Sequence, residues 1–196
     1  MKIKRSFLLL ILMVLSVFTY AYPHQFNVDI RQADGDLNND GIADRVLIKM
    51  DTISKSRPLC LQIFFAQPNG QYKLKVSTTN LIAAQYLRNK NGKNSGYTIP
   101  NIEIEGGSLH LETYFKGISV HSFKYLKRSF RLVSYSNIFW DGKQTTIETN
   151  LDFIRGLKTE RTHQLGSQNN DDQVETDFFI RRSPKIQHYN TAQFEP

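Results

Sequence analysis

Short segments with apolar residues at alternate positions, separated by tight turns, make up most of this chain. The segments that fit this strand pattern are residues 45–50, 59–66, 71–76, 101–105, 108–115, 118–125, 130–136, 146–152 and 176–181. Four connections between them look like hairpin turns: Pro68-Asn69-Gly70, Gly106-Gly107, Lys127-Arg128-Ser129 and Asp141-Gly142. Because such short turns force neighbouring strands to run antiparallel, the sequence predicts a mostly β fold built as a single antiparallel β-sheet or meander.

Residues 80–88 depart from the strand pattern. Their apolar side chains suit one short α-helix better than a strand: Leu81, Ile82, Ala83, Ala84 and Leu87. Polar loops at residues 89–96 and 166–173 are too short to separate two domains. With 40% hydrophobic and 12% aromatic residues, the chain has the composition of a globular protein. We therefore expect one β-rich domain with a single short helix.

The first 21 residues have the order of a secretory signal peptide. Three basic residues precede an apolar run at 7–18, and Thr19 and Ala21 supply the small residues of a cleavage site. The run is shorter than the roughly 20 residues of a membrane-spanning helix, and an uncleaved anchor is the alternative. Cleavage after Ala21 leaves residues 22–196 as a periplasmic or secreted domain with no stable membrane anchor. The formal charge then falls from +7 to +4, because the leader contains three basic and no acidic residues.

The stretch DGDLNNDGIADRVLI, residues 34–48, carries the most specific chemical pattern in the chain. From Asp36 onward, oxygen-bearing side chains recur at alternate positions, and a glycine permits a sharp turn. Calcium takes about six to eight oxygen ligands, which a chain wrapped around the ion supplies in this way. We predict that residues 36–44 bind Ca²⁺ through the side chains of Asp36, Asn38 and Asp40, the backbone carbonyl of Ile42, and Asp44 directly or through water.

This loop does not fit the ordinary EF-hand. A helix-loop-helix site places a bidentate Glu at position 12, which here is Leu47 inside a strand pattern. Magnesium is the weaker candidate because it demands a tighter octahedron and keeps its waters. We expect a Kd for calcium of roughly 10⁻⁴ to 10⁻³ M. The alternative is a plain type I′ turn at Asp40-Gly41 that joins residues 26–30 to residues 46–48.

The loop resembles the calcium loops of the FG-GAP and VCBS type, in which a DxDxDGxxD-like sequence runs straight into a strand. Over most of residues 34–186, the chain also resembles a group of small exported bacterial proteins with one such loop near the mature N-terminus. Apolar segments fall in the same order as theirs at residues 58–65, 71–74, 102–109, 123–125, 130–133 and 149–156. Many of these proteins have a lipoprotein leader and a mid-chain cysteine segment, and this chain has neither. The resemblance implies calcium binding and export, but no particular reaction.

A second polar constellation surrounds His110. On a strand His110 and Glu112 share a face, and we expect Glu103 and Glu105 on a neighbouring strand. A metal or acid–base site could be built from these residues. Their alternation with apolar residues makes the solvated side of a half-buried sheet the simpler interpretation.

Other catalytic signals are weak. His121 and His163 have no recognisable metal-ligand spacing, and the single cysteine, Cys60, lies in an apolar run that favours burial. The sequence contains no nucleophile elbow, HExxH motif or phosphate-binding glycine-rich loop. We therefore expect a protein that is not an enzyme.

Four basic residues bracket one predicted hairpin next to aromatic residues: Lys124, Lys127, Arg128 and Arg131. Basic residues interleaved with aromatic ones can hold single-stranded nucleic acid, but export and the modest mature charge argue against that partner. A solvated hairpin end is the simpler interpretation. A functional patch would meet an acidic protein, phospholipid head groups or an anionic envelope polymer.

Three hypotheses about function follow. The preferred one is an exported, noncatalytic calcium-binding protein in which the ion is structural and the remaining surface recognises a protein partner. The second is an immunity or inhibitor protein of the cell envelope that blocks a toxin or hydrolase. The third is an enzyme with an unfamiliar site that uses His110 and Glu112.

Overall fold

Hairpin connections organise the chain into antiparallel sheets. The computed structural model describes residues 25–88, 94–96, 98–114, 117–164, 173–179 and 182–191. Thirteen strands lie within these residues: β1 (Val28–Gly35), β2 (Asp44–Met50), β3 (Leu59–Ala66), β4 (Tyr72–Thr78), β5 (Tyr86–Arg88), β6 (Asn94–Gly96), β7 (Asn101–Glu105), β8 (Ser108–Tyr114), β9 (Ile118–Leu126), β10 (Ser129–Trp140), β11 (Thr145–Asp152), β12 (Leu157–Gln164) and β13 (Gln173–Phe178). A 3₁₀ helix, Ile186–His188, follows them.

The strands form two large sheets and one small ribbon. β1 to β4 make a four-stranded sheet and β7 to β13 a seven-stranded sheet, both in chain order, while β5 pairs with β6. Every neighbouring pair is antiparallel. Each large sheet is therefore a meander, as short turns between successive strands require.

One hydrophobic core lies between the two large sheets. Alternate residues of β2 and β3 enter it from the four-stranded sheet: Val46, Ile48, Leu61 and Ile63. Alternate residues of β8, β9 and β10 enter it from the seven-stranded sheet: Leu109, Leu111, Phe123, Phe130 and Leu132. Removal of this apolar surface from water is the main favourable term in folding. The far end of the seven-stranded sheet extends past the core, and β13 is exposed along its whole length.

The two sheets also meet edge to edge, where β1 lies beside β7. Gly35, the last residue of β1, lies so close to β7 that a Cβ added there would be 2.6 Å from Cγ2 of Ile104. A side chain at position 35 would therefore push the strands apart. The chain enters residues 36–43 directly from this contact, so the junction fixes the position of that loop.

Residues 182–191, here called the C-terminal segment, complete the core. Leu132 of β10 donates its backbone N–H to Pro184 O at 3.0 Å, and Thr191 donates its own to Leu81 O at 3.2 Å. Ile186 and Tyr189 are fully buried in the core between these two attachments. The segment therefore links the seven-stranded sheet to the chain that follows the four-stranded one.

The predicted mostly β, antiparallel character is confirmed, but the single sheet is wrong. The strands divide into two sheets that pack face to face, because one sheet alone would leave its apolar face in water. The four predicted hairpin turns join β3 to β4, β7 to β8, β9 to β10 and β10 to β11.

The short helix predicted at residues 80–88 is also wrong. Within the described residues the only helix is the 3₁₀ turn at Ile186–His188, and β5 occupies Tyr86–Arg88. The backbone here bonds to distant segments: Gln85 N–H donates to Arg57 O and Tyr86 N–H to Ser56 O. A helix of nine residues is marginal in water, so these tertiary bonds decide the conformation.

The predicted signal peptide, residues 1–21, lies outside the described residues, as do most of the loops at 89–96 and 166–173. In the described part of the chain, we find no helix with the length and apolar character needed to cross a membrane. Cys60 is 2% exposed, which confirms its predicted burial.

Candidate metal centre

The predicted calcium loop is the connection between β1 and β2. It leaves β1 after Gly35 and returns at Asp44, the residue that pairs with Gly35 in the register. Asn39 and Gly41 have positive φ angles of 63° and 83°, which bend the loop sharply. This is a long, curved loop rather than the two-residue type I′ turn that was the alternative.

The carboxylate of Asp36 lies at the centre of the loop. Its Oδ1 accepts the backbone N–H of Asn39 at 2.7 Å, and its Oδ2 accepts that of Gly41 at 2.8 Å. Weaker bonds come from the N–H groups of Asn38 and Asp40 at 3.2 and 3.3 Å. These backbone donors, among which the Gly41 N–H has the largest effect, hold the pKa of Asp36 below its usual value, so the carboxylate stays ionised.

Asn38 and Asp40 form a second layer on the exposed side of the loop. The Asn38 amide donates to Asp40 Oδ2 at 2.9 Å, and Asn38 Oδ1 accepts the backbone N–H of Asp40 at 2.9 Å. Asp40 Oδ1 accepts the N–H of Ile42 at 2.9 Å. Side-chain oxygens at alternate positions thus accept hydrogen bonds from one short stretch of backbone, which keeps them together as the sequence pattern indicates.

Asp44 has a role that the sequence pattern did not indicate. It is fully buried, its Oδ2 accepts the N–H of Leu37 at 2.9 Å, and its Oδ1 accepts the N–H of Ala66 at 2.9 Å. The carboxylate therefore fastens the start of the loop to the end of β3. Burial raises the pKa of Asp44, and the negative charges of Asp40 and Asp36 raise it further.

The loop also touches the seven-stranded sheet. Gly107, in the turn between β7 and β8, lies against it, and a Cβ added there would be 3.2 Å from Asn39 Oδ1 and 3.8 Å from Asp36 O. The candidate site therefore sits where the two sheets meet edge to edge. An ion held here would act on that junction.

The donor set matches calcium in kind, since every predicted ligand supplies a hard oxygen atom. Within the described residues, no three His, Cys, Asp or Glu side chains form a group that could hold a metal ion. A calcium site in this loop therefore depends on the Asn38 amide oxygen and the Ile42 carbonyl as well as on carboxylates. The ligand set of Asp36, Asn38, Asp40, Ile42 and Asp44 stays a prediction.

The residues around His110 lie together on the outer face of the seven-stranded sheet. His110 is paired with Glu103 across β7 and β8, and with Glu105 and Glu112 it lines a shallow groove of about 520 Å³. Its Nδ1 lies 2.9 Å from Ser122 Oγ. The shared face is as predicted, and the intervening Ile102 and Ile104 face the core.

The most unusual histidine is His121 rather than His110. It is fully buried, its Nδ1 lies 2.7 Å from Tyr189 Oη, and its Nε2 lies 3.3 Å from Thr113 Oγ1. Burial lowers the pKa of His121 to about 4. The sequence signal for the burial of His121 was its place two residues before the apolar Phe123 of β9, because alternate strand residues share a face.

No protein family, curated protein or solved structure matches this chain.

Proposed function

We propose that this protein is an exported, noncatalytic calcium-binding domain whose ion stabilises the junction between the two sheets. The observation that carries the proposal is the position of residues 36–43, which leave β1 at its contact with β7 and lie against the turn at Gly107. Asp36, Asn38, Asp40 and the Ile42 carbonyl hold the ion, and Asp44 contributes directly or through water while it anchors the loop that presents them.

Charge gives a physical reason for an ion here. The carboxylates of Asp36 and Asp40 both act on the buried Asp44, and a divalent cation offsets that repulsion. Because the ion binds the folded loop and not the unfolded chain, its binding free energy adds to the stability of the domain. In this protein, which has one cysteine and so no internal disulfide, calcium supplies a stabilising link.

Calcium titration calorimetry on residues 22–196, with melting curves in calcium and in chelator, tests the proposal. At about 10 mM calcium and a Kd of roughly 10⁻⁴ to 10⁻³ M, we expect about 1.4 to 2.7 kcal/mol of added stability. For a domain of this size that is a rise in Tm of several degrees. Binding that is absent in the wild-type chain would overturn the proposal.

Two variants make the result specific to the loop. Asp40→Ala should remove both the binding heat and the calcium-dependent rise in Tm. Asp141→Ala is the matched control, since Asp141, like Asp40, is an exposed loop residue whose carboxylate accepts two hydrogen bonds, here from the backbone N–H groups of Lys143 and Thr145. It should bind calcium as the wild type does.

We also assign protein recognition to this domain, on the basis of an apolar row on the seven-stranded sheet. Ile118 is paired with Tyr114 on one side and Ile138 on the other, and all three are exposed. Trp140, two residues further along β10, is 56% exposed. Adjacent exposed apolar side chains on a rigid sheet are typical of protein-binding surfaces.

The apolar row is tested by replacing its two isoleucines with lysine, as Ile118→Lys and Ile138→Lys together. We expect the wild-type protein to capture a stoichiometric envelope protein that the variant does not. Equal capture by both would place the recognition surface elsewhere.

A further inference from the structure

Six basic residues converge at one end of the molecule, around the turn between β9 and β10. They come from three separate parts of the chain and are here called the basic end: Lys75, Lys124, Lys127, Arg128, Arg131 and Lys185. From residue 113 to residue 140 the sequence contains no Asp or Glu, so the hairpin supplies no acidic partner of its own. None of the ion pairs among the described residues involves the basic end.

Three of these cations lie in one row across the sheet. Lys124 of β9 is directly opposite Arg131 of β10, and Arg131 is bridged in turn to Lys185. Directly opposed residues on one face have Cβ atoms about 5 Å apart, and like charges in that position destabilise a sheet. Arg131 is held in place by a 3.0 Å bond from Nη1 to Ser183 O. The row is therefore a fixed concentration of positive charge that an anionic partner would relieve.

The tip of the hairpin shows a second cost. Lys127 and Arg128 occupy the two central positions with φ angles of 48° and 66°. A turn with positive φ at both positions favours Asn-Gly, because other residues lose about 1–2 kcal/mol each in this conformation. Here both turn positions are occupied by residues with long cationic side chains. Strain of this kind is concentrated at functional sites of native proteins.

Cations surround the tip on both faces of the hairpin. Lys75 lies on the core side, with Nζ 5.1 Å from the ring centroid of Tyr125 and 5.7 Å from that of Phe65. The tip itself presents Leu126, which is 39% exposed. The end of this hairpin thus combines one partly exposed apolar side chain with positive charge on both faces. A membrane surface of anionic lipid offers both kinds of contact, phosphates for the cations and an apolar layer for Leu126.

We propose that the basic end binds reversibly to the surface of membranes rich in anionic phospholipid. The cations meet the lipid phosphates, and Leu126 enters the head-group layer. Binding of this kind needs no membrane-spanning segment. It gives an exported protein a place along the membrane that its calcium loop alone does not provide.

The candidate calcium loop borders the basic end. A Cβ added at Gly107 would lie 3.2 Å from Asn39 Oδ1, and the next residue, Ser108, is the pairing partner of Lys124. Calcium in the loop would cancel the negative charge of Asp36 and Asp40 beside the cations and tighten binding to the membrane. This increment rests on the proposed function, whereas the attraction of the basic end for anionic lipid does not.

Vesicle flotation with residues 22–196 tests the proposal. Phosphatidylcholine vesicles with about 30% phosphatidylglycerol should carry the protein, and vesicles of phosphatidylcholine alone should not. Binding should fall steeply as salt is raised toward about 1 M, where the Debye length is only about 3 Å. Binding to both vesicle types, or to neither, would overturn the proposal. Soluble poly-glutamate and an oligonucleotide serve as competitors: capture by these without vesicle binding would replace lipid with a soluble polyanion.

The decisive variant is Lys127→Asn with Arg128→Gly. It removes two charges, so affinity for the anionic vesicles should fall about 25-fold, at about 5-fold for each. It also supplies the preferred turn sequence, so the variant should be more stable than the wild type, which separates lost binding from lost folding. Unchanged affinity would overturn the proposal.

A control variant and a calcium comparison complete the test. Lys55→Glu with Lys143→Glu reverses two exposed charges that lie at the opposite end of the molecule, and it should leave binding nearly unchanged. Every sample is measured in chelator and in calcium. A variant that loses only the calcium-dependent part of the vesicle affinity, as we expect for Asp40→Ala, has a defect in the calcium loop. A variant that loses binding in chelator has a defect in the basic end.

Discussion

Asp44 shows how one buried carboxylate can decide the shape of a loop. Both of its oxygens accept backbone N–H groups, one at the start of the loop and one at the end of β3. A buried N–H that loses its acceptor costs about 1–3 kcal/mol. The arrangement of the candidate ligands is therefore held in place by bonds that are independent of any ion.

Asp44→Ala should destabilise the protein by about 3 kcal/mol in chelator, because it leaves the N–H groups of Leu37 and Ala66 without acceptors. Urea unfolding followed by circular dichroism measures this loss. Asp40→Ala, at an exposed position, should cost less than about 1 kcal/mol under the same conditions. Equal losses in the two variants would contradict the bracing role of Asp44.

His121 makes stability depend on pH. Its pKa is lowered to about 4 in the folded protein from 6.5, so the unfolded chain takes up the proton first as the pH falls. The contribution of neutral His121 to the free energy of unfolding is therefore fully present above pH 6.5. It is lost progressively as the pH falls to about 4, by about 3 kcal/mol in all. Unfolding free energies measured across this range should fall more steeply for the wild type than for His121→Asn. Parallel curves would contradict the assignment.

At the scale of strands, the contact between β1 and β7 is the tightest between the sheets. A Cβ at position 35 would lie 2.6 Å from Cγ2 and 2.9 Å from Cβ of Ile104. We expect Gly35→Ala to destabilise the protein by about 1–3 kcal/mol, because the strands must separate to admit the methyl group. Thermal unfolding measures the loss.

The double variant identifies the cause of that loss. If the clash with Ile104 is responsible, Gly35→Ala combined with Ile104→Ala should cost less than the sum of the two single variants. Strict additivity would show that the strain at Gly35 comes from another source.

Strands with a buried face were predicted best; of the exposed ones, β13 was predicted only in part, as 176–181 instead of 173–178, and β12 was missed. β3 and β7 were predicted with their observed ends, since apolar residues alternate between clear turns. β12, Leu157–Gln164, is largely polar and lies beyond the core, so it has no apolar period to detect. The helix at 80–88 failed for a different reason: intrinsic propensity is weak beside tertiary hydrogen bonds.

The candidate site was predictable only where its parts are close in sequence. Asp36, Asn38 and Asp40 recur at alternate positions within one loop, and the structure keeps them together. The bond that Ala66 N–H donates to Asp44 spans 22 residues, and the approach of Asn39 to Gly107 brings together parts of two sheets. Contacts of this kind depend on how the sheets pack, which local patterns do not specify.

For the molecule as a whole, the C-terminal segment packs Tyr189 into the core against β9 of the seven-stranded sheet. Its ring is fully buried, with centroids 5.6 Å from both His121 and Phe123. Tyr189→Ala should therefore destabilise the entire domain by about 3–5 kcal/mol, through the cavity it leaves. In urea unfolding, the midpoints measured by Trp140 fluorescence and by circular dichroism should fall together.

Tyr189→Phe is the matched control for this prediction. It keeps the ring and removes only the hydroxyl that meets His121 Nδ1, so it should cost about 1–2 kcal/mol. A loss below about 1 kcal/mol for Tyr189→Ala would show that the segment is a passive tail.

The order of synthesis gives the C-terminal segment a consequence in time. Ile186 and Tyr189 follow all thirteen described strands in the chain, so the ribosome completes every strand before the residues that close the core exist. Domains fold as units, so a nascent chain that lacks these residues has no complete core to condense around. The core is therefore expected to close only after Ile186 and Tyr189 have been synthesised.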